Sequence, residues 1–359
     1  MHPPSKILAP YLAPDRNSFN LVRLLAALTV LVSHTFIIKT GTDTLDPLLG
    51  PTPFTLGQHA VNAFFFLSGL MLSQSIERRS DIADYLWARF LRIFPGLFAC
   101  GLVLAFVAGP LLSGSNVIDY FNDTHTWAYP FAILVQFAKA VPPHYIFAEL
   151  PYAGQANSPL WTINYEILAY MVLAAFSYGG WTRRTAVLWA ALGLALALFM
   201  AEAAVESVSH TSHLYQLGRY GFCFALGMIA YRYRDGVSLS PFWFAGSVLL
   251  VLATRGTAFE HAAYVVVVAH AALLAGARHY GTLTELTQKH DISYGVYIYH
   301  WPVEQALLVE IPDVGAIALL LVSLIVTVAL AVASWRWIEE PALRFKNHVP
   351  RLFMRRARG

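Results

Sequence analysis

Apolar residues run along this chain in long blocks, at about 20–38, 59–76, 93–112, 160–178, 185–203, 216–231, 241–254, 261–277, 292–309 and 315–338. Each reaches or approaches the roughly 20 residues an α-helix needs to cross the hydrocarbon core of a bilayer. The pattern predicts an all-α fold, a polytopic membrane helix bundle of about ten transmembrane helices. One further apolar stretch, 127–140, is shorter and has Pro130, Pro142 and Pro143 around it. It reads as a re-entrant or interfacial segment within a long outer loop at about 113–159.

The distribution of basic residues tests that choice, because loops on the cytoplasmic side collect Lys and Arg. With a cytoplasmic N-terminus and ten spans, the inner side holds Lys6, Arg16, Arg78, Arg79, Arg89, Arg92, Arg183, Arg184, Arg232, Arg234, Arg278, Lys289, Arg344, Lys346, Arg351, Arg355, Arg356 and Arg358, against Lys39, Lys139 and Arg255 outside. An eleventh span at 127–140 would turn Arg183, Arg184, Arg232, Arg234, Arg278, Lys289 and the basic tail outward. The organisation expected is a cytoplasmic segment 1–19, a ten-helix membrane domain 20–338 and a basic cytoplasmic tail 339–359. Pro3, Pro4, Pro10 and Pro14 precede the first span, without the charged start and small-residue cleavage site of a signal peptide, so that span is expected to be kept.

Composition agrees, with 57% hydrophobic and 13% charged residues and a mean hydropathy of +0.54. These values exclude an ordinary soluble domain. The net charge of +3 reflects arginines bunched in loops and no nucleic-acid-binding face. Cys100 and Cys223 sit inside apolar runs, so neither a disulfide nor a metal site is expected. No internal repeat of the kind on which many transporters are built is visible.

Ionisable residues inside such spans are costly and point to function. The first span carries Arg23 and His34, eleven residues apart. They share one helix face about 16 Å apart along the axis, with the small Ala26, Ala27 and Ser33 nearby to admit a neighbouring helix or a ligand. The second span places Phe64, Phe65 and Phe66 before Ser68 and Gly69, a small step expected to pack against the first span. Arg89 and Arg92, three apart at the inner mouth of the third span, form a fork suited to phosphate or serve as anchors. Glu166 enters the fourth span from outside to a depth of about 9 Å, and His34 lies roughly 6–8 Å below the same surface, so the two readings are that they meet as one unit or that Glu166 pairs structurally with another span. The ninth span surrounds His300 with tyrosines, which reads as packing. Trp335, Arg336, Trp337, Glu339 and Glu340 read as an anchoring belt, while Arg219 and His270 receive no role.

Taken together, the Arg-x10-His of Arg23 and His34, Phe-Phe-Phe-Leu-Ser-Gly-Leu at 64–70, Arg-x-x-Arg at Arg89 and Arg92, Leu-Trp-Thr-Ile-Asn-Tyr-Glu at 160–166, Ser-Tyr-Gly-Val-Tyr-Ile-Tyr-His-Trp-Pro at 293–302 and the closing Glu-Glu-Pro resemble the membrane acyltransferases of acyltransferase family 3. The resemblance runs from about Phe19 to Pro341. It implies a bundle of about ten helices in a bacterial inner membrane, with both termini cytoplasmic. It also implies transfer of an acyl group, usually acetyl with succinyl as the variant, from cytoplasmic acetyl-CoA or another acyl-CoA to a hydroxyl of an envelope glycan or another acceptor.

Carried onto this chain, the resemblance gives Arg89 and Arg92 the CoA phosphates and Arg23 the donor's charge within the membrane. His34 becomes general base or transient acyl carrier, and Glu166 orients the imidazole or stabilises its charged form. Some family members carry a second transferase domain after the bundle. This chain closes soon after Pro341, so any such step is expected within the bundle or on a separate protein. Membrane lipids, acyl-CoA and the hydroxyl acceptor are the expected partners, with no nucleic acid and a homo-oligomer left open. The competing readings are a transporter or flippase using the same residues as a substrate or proton path, and a structural subunit; only an acyltransferase needs a thioester.

Overall fold

A computed structural model describes residues 7–79, 81–143, 146–153, 155–205 and 212–348. Lys6 and the arginines from 351 onward lie outside these residues. Among the described residues the chain is helical with no β-strand. It begins with α1 (Phe19–Thr40), α2 (Leu56–Glu77) and α3 (Ile82–Val103), which continues through a π-helical stretch into α4 (Gly109–Leu112). Next come α5 (Val117–Asn122), α6 (Thr124–Gln136), α7 (Trp161–Tyr178), α8 (Thr185–Ala203), α9 (His213–Arg232), α10 (Pro241–Thr254) and α11 (Phe259–Gly276). The short α12 (Thr282–Lys289) leads to α13 (Ser293–Glu310) and α14 (Ala316–Ser334), and a π-helical turn, Trp335–Glu339, joins α14 to α15 (Glu340–Arg344).

All ten apolar blocks fall on helices, and six stretches are long and apolar enough to cross a membrane: Phe19–Thr40, Ile82–Leu112, Ser158–Tyr178, Thr185–Ala203, Phe259–Gly276 and Ala316–Asn347. The stretch Ile82–Leu112 differs from the sequence expectation, since its helix starts at Ile82 and places Arg89 and Arg92 well inside it. The stretch expected to be re-entrant or interfacial forms the 13-residue α6, about 20 Å long and short of a 30 Å core. It lies against α3, where a Cβ on Gly101 would sit 2.9 Å from Ile133 and from Pro130.

The long helices outside those six are α2, α9 and α13, and each buries several polar side chains. On α13 alone Ser293, His300, Glu304 and Gln305 are fully buried. A helix ringed by other helices meets no lipid, so it needs fewer apolar residues than α14, whose Ile317, Leu321 and Ile325 are exposed.

Close approach of α2 to α9 rests on two glycines. A Cβ at Gly69 would lie 2.1 Å from the carbonyl oxygen of Phe224, and one at Gly227 would lie 2.1 Å from that of Phe66. The Ser-Gly step of the second span therefore packs on α9, where sequence reasoning placed it against α1. At the other end of α2, the chain is fixed by a capping box between Thr55 and Gln58.

One end of the bundle gathers the arginine-rich segments: Ala9 N–H donates to Arg234 O, Ser18 Oγ to Arg278 O, and Trp87 Nε1 to Phe345 O. The opposite end holds the loop after α1, where Lys39 Nζ donates to Pro312 O and Tyr264 OH to Pro51 O.

Candidate active site

At the arginine-rich end, α1, α3, the start of α13 and the turn after α14 meet in a cluster of buried charges. Arg23 Nη1 lies 3.0 Å and Arg92 Nη2 2.7 Å from the same oxygen, Oδ2 of Asp291. Arg92 Nη1 reaches Glu339 Oε2 at 3.3 Å, and Ser334 Oγ donates to Glu339 Oε1 at 2.9 Å. The other oxygen of Asp291 accepts from Ser293 Oγ at 2.5 Å. Asp291 precedes α13: burial alone would raise its carboxyl, but Arg92 and then Arg23 hold it down, at about 2. Arg89 is the arginine left over. It forms no ion pair among the described residues, its Nε is buried without a hydrogen-bond partner, and its guanidinium lies 6.0 Å from the centre of the Tyr170 ring. The Tyr170 hydroxyl donates to Glu166.

A cleft opens from this cluster into the bundle. Its inner part is lined by Ser75, Met71, Arg89 and Tyr170, and it shares Arg23, Ser68, Arg92 and Glu166 with a narrow deeper part that ends at Phe64, Thr162 and Tyr297. Charge therefore gives way to an apolar and aromatic wall along its length. The Tyr297 ring is 6.0 Å from the imidazole of His300, so the deep end lies about one helical turn from the histidines.

His34 and His300 face each other across α1 and α13, with His34 Nδ1 2.8 Å from His300 Nε2 and the rings stacked at 5.1 Å. Trp301 sets its edge against His34 at 5.1 Å. One turn outward, Thr35 Oγ1 lies 2.7 Å from Glu304 Oε1. Arg23 to Asp291, His34 to His300 and Thr35 to Glu304 thus form three polar rungs between α1 and the run from Asp291 into α13. The face of α1 that carries Arg23 and His34 is the one that meets α13, and Ala27 packs on Val296 there, while Ser33 turns toward Gly57 of α2 and Asp46.

Three sequence expectations need correction. First, the structure does not pair His34 with Glu166: the hydrogen bond of Glu166 is to Tyr170, and Glu166 lines the cleft beside Arg23 and Arg92. The reason lies in the outer loop, which descends along α13 before α7 begins. Tyr152 O accepts from Gln305, Gln155 O from Trp301, Pro159 O from Tyr297, and Asn157 donates to Ile298 O. Consequently α7 starts about 20 Å below the outer end of α13, and Glu166 lies a further 10 Å or so inward. Counting depth from the first apolar residue assumed a loop that stayed at the surface.

Second, Arg89 and Arg92 are not an equivalent fork, because Arg92 is committed to two carboxylates. Third, Glu339 is not part of an exposed anchor; it is fully buried against Arg92. Sequence reasoning missed Asp291 and the role of His300. A carboxylate directly before a span, opposite an intramembrane arginine, was the available signal for Asp291. Arg219 is buried among Phe54, Tyr215 and Tyr220, its Nη2 donating to Tyr220 OH at 2.7 Å.

Fold and site define a polytopic membrane protein built around a cleft that runs from buried arginines to Tyr297, with a histidine pair beyond its deep end. A family model described as an acyltransferase domain matches residues 16–336, and the chain belongs to this family, acyltransferase family 3. It is similar to nodulation protein 10 of Rhizobium leguminosarum bv. viciae, 29% identical over 92% of this chain and 94% of that protein. It is also similar to the O-acetyl transferase of Shigella phage Sf6, 26% identical over 90% and 95% respectively. The acyltransferase MdmB of Streptomyces mycarofaciens shares 29% identity over a shorter part, 33% of this chain and 27% of MdmB. No solved structure matches the chain.

Proposed function

We propose that this membrane acyltransferase moves an acyl group, acetyl before succinyl, from cytoplasmic acyl-CoA to a hydroxyl of an envelope or exported glycan. The observation that carries the reading is the cleft, which runs from the arginine cluster to the floor beneath the histidine pair. A donor with a polyanionic head and a long, thin arm ending in a thioester fits that gradient from charge to aromatic wall. The crowding of arginines at this end supports its cytoplasmic orientation, and the similarity to an O-acetyl transferase supports oxygen as the acceptor atom.

In this mechanism Arg89, free of carboxylates, binds donor phosphate, while Arg92 holds the walls of the mouth together and Arg23 adds positive charge beside the arm. Glu166 and Tyr170 border the path of the arm. His34, at the far end of α1, assists attack of the acceptor hydroxyl on the thioester carbon.

Purified protein supplied with radiolabelled acetyl-CoA and an envelope glycan extract should release CoA thiol and label the glycan, and His34→Ala should abolish both while remaining folded. Parental protein that consumes no thioester, or a His34→Ala variant of parental rate, would overturn the reading. Mass spectrometry of envelope glycans from a deletion strain and its parent identifies the acceptor through the missing acyl mass.

A further inference from the structure

His300 stands in the middle of a hydrogen-bonded file. Its Nδ1 lies 3.2 Å from the carbonyl oxygen of Val296, and its Nε2 lies 2.8 Å from His34 Nδ1. A carbonyl oxygen only accepts, so His300 Nδ1 carries a hydrogen and donates it. In the neutral ring His300 Nε2 then bears a lone pair, which accepts the Nδ1–H of His34. The file therefore fixes His34 as the tautomer with hydrogen on Nδ1 and a lone pair on Nε2. His300 is fully buried and stacked on His34, which leaves it one orientation in which to do this.

Nothing among the described residues hydrogen-bonds His34 Nε2. That nitrogen faces the first turn of α2, where Gly57 provides no side chain; a Cβ there would lie 3.9 Å from Nε2. His34 is itself only half-buried.

We infer that His300 is a positioning residue that holds His34 in the Nδ1–H tautomer, so that His34 Nε2, facing Gly57, is the base for the acceptor hydroxyl. The inference rests on the acyltransfer reading given above. In the step it implies, Nε2 takes the hydroxyl proton as the oxygen forms its bond to the thioester carbonyl carbon. The carbon–sulfur bond then breaks with its electron pair going to sulfur, and the proton passes from Nε2 to sulfur. The products are an ester and a free thiol, with both imidazoles neutral again.

The test compares His300→Gln, whose amide oxygen accepts from His34 Nδ1, with His300→Phe, which offers no acceptor. The Phe variant should lose kcat by on the order of 10–100-fold with KM for acyl-CoA unchanged, and Gln should restore most of it. Ring ¹⁵N spectra of the histidine-labelled parent provide a second measurement that no variant's folding affects: His34 should show a protonated Nδ1 and an unprotonated Nε2. A Phe variant of parental kcat, a Gln variant as poor as Phe, or a His34 protonated on Nε2 would overturn the assignment. A parent that consumes no acyl-CoA while showing the stated tautomer would instead refute the acyltransfer reading.

Discussion

Replacing Arg92 by Met should unfold the inner end of the bundle before it affects chemistry. The side chain of Arg92 is 9% exposed and that of Glu339 1% exposed, so methionine leaves Glu339 buried without its ion-pair partner. Removing one member of a buried pair costs about 3–5 kcal/mol. Asp291 keeps Arg23 at 3.0 Å and Glu339 keeps the hydroxyl of Ser334, which points to the lower part of that range. If the loss is mainly a stranded carboxylate, Glu339→Gln added to Arg92→Met should return about 1–3 kcal/mol, as coupled neighbours do. Denaturant unfolding of the four proteins of this cycle in detergent, followed by intrinsic fluorescence, measures both quantities. An Arg92→Met protein as stable as the parent, or one that Glu339→Gln does not rescue, would refute the reasoning.

Arg89→Met should behave differently, raising KM for acyl-CoA at least tenfold while melting within about 1 kcal/mol of the parent, and Lys should restore part of the affinity because it supplies charge without the planar fork; titration with CoA and with dephospho-CoA checks this. Gly227→Leu should abolish folded yield in fluorescence-detected gel filtration, since a Cβ would fall 2.1 Å from Phe66 O and the two backbones cannot part without losing the α2–α9 contact. Reporter fusions at Arg78 and in the tail after Asn347 should report the cytoplasm and fusions at 41–55 and 113–116 the outside, and a tail reporter active only outside would overturn that topology.

Much of the architecture was legible in the sequence because bilayer thickness and hydrophobic run length are tightly linked, so every apolar block became a helix. The Arg23 and His34 face was legible for the same reason: helical periodicity alone puts both on one side, and α13 does lie there. Glu166 was misplaced because hydropathy does not reveal that Asn157 and Gln155 hold the preceding loop deep against α13 through backbone oxygens. Arg92 and Glu339 were read separately, as fork and anchor, because nothing in local pattern joins residues from the third span and from the chain's closing turn. His300 looked like packing, since a single ring nitrogen has no signature until its partner's position is known.

Arg92 and Glu339 are separated by 247 positions, and Arg23 and Asp291 by 268. At about 5–20 residues per second of synthesis, each arginine enters the membrane roughly 12–55 seconds before its carboxylate exists. For that interval the first and third helices carry uncompensated cations, and these must stay near the headgroups, where phosphate and water satisfy them. Asp291 emerges first and can pair both arginines, and the closing turn with Glu339 then completes the cluster. The inner mouth of the cleft is thus assembled late, and a nascent chain cut short before Asp291 holds both arginines with neither of their carboxylates.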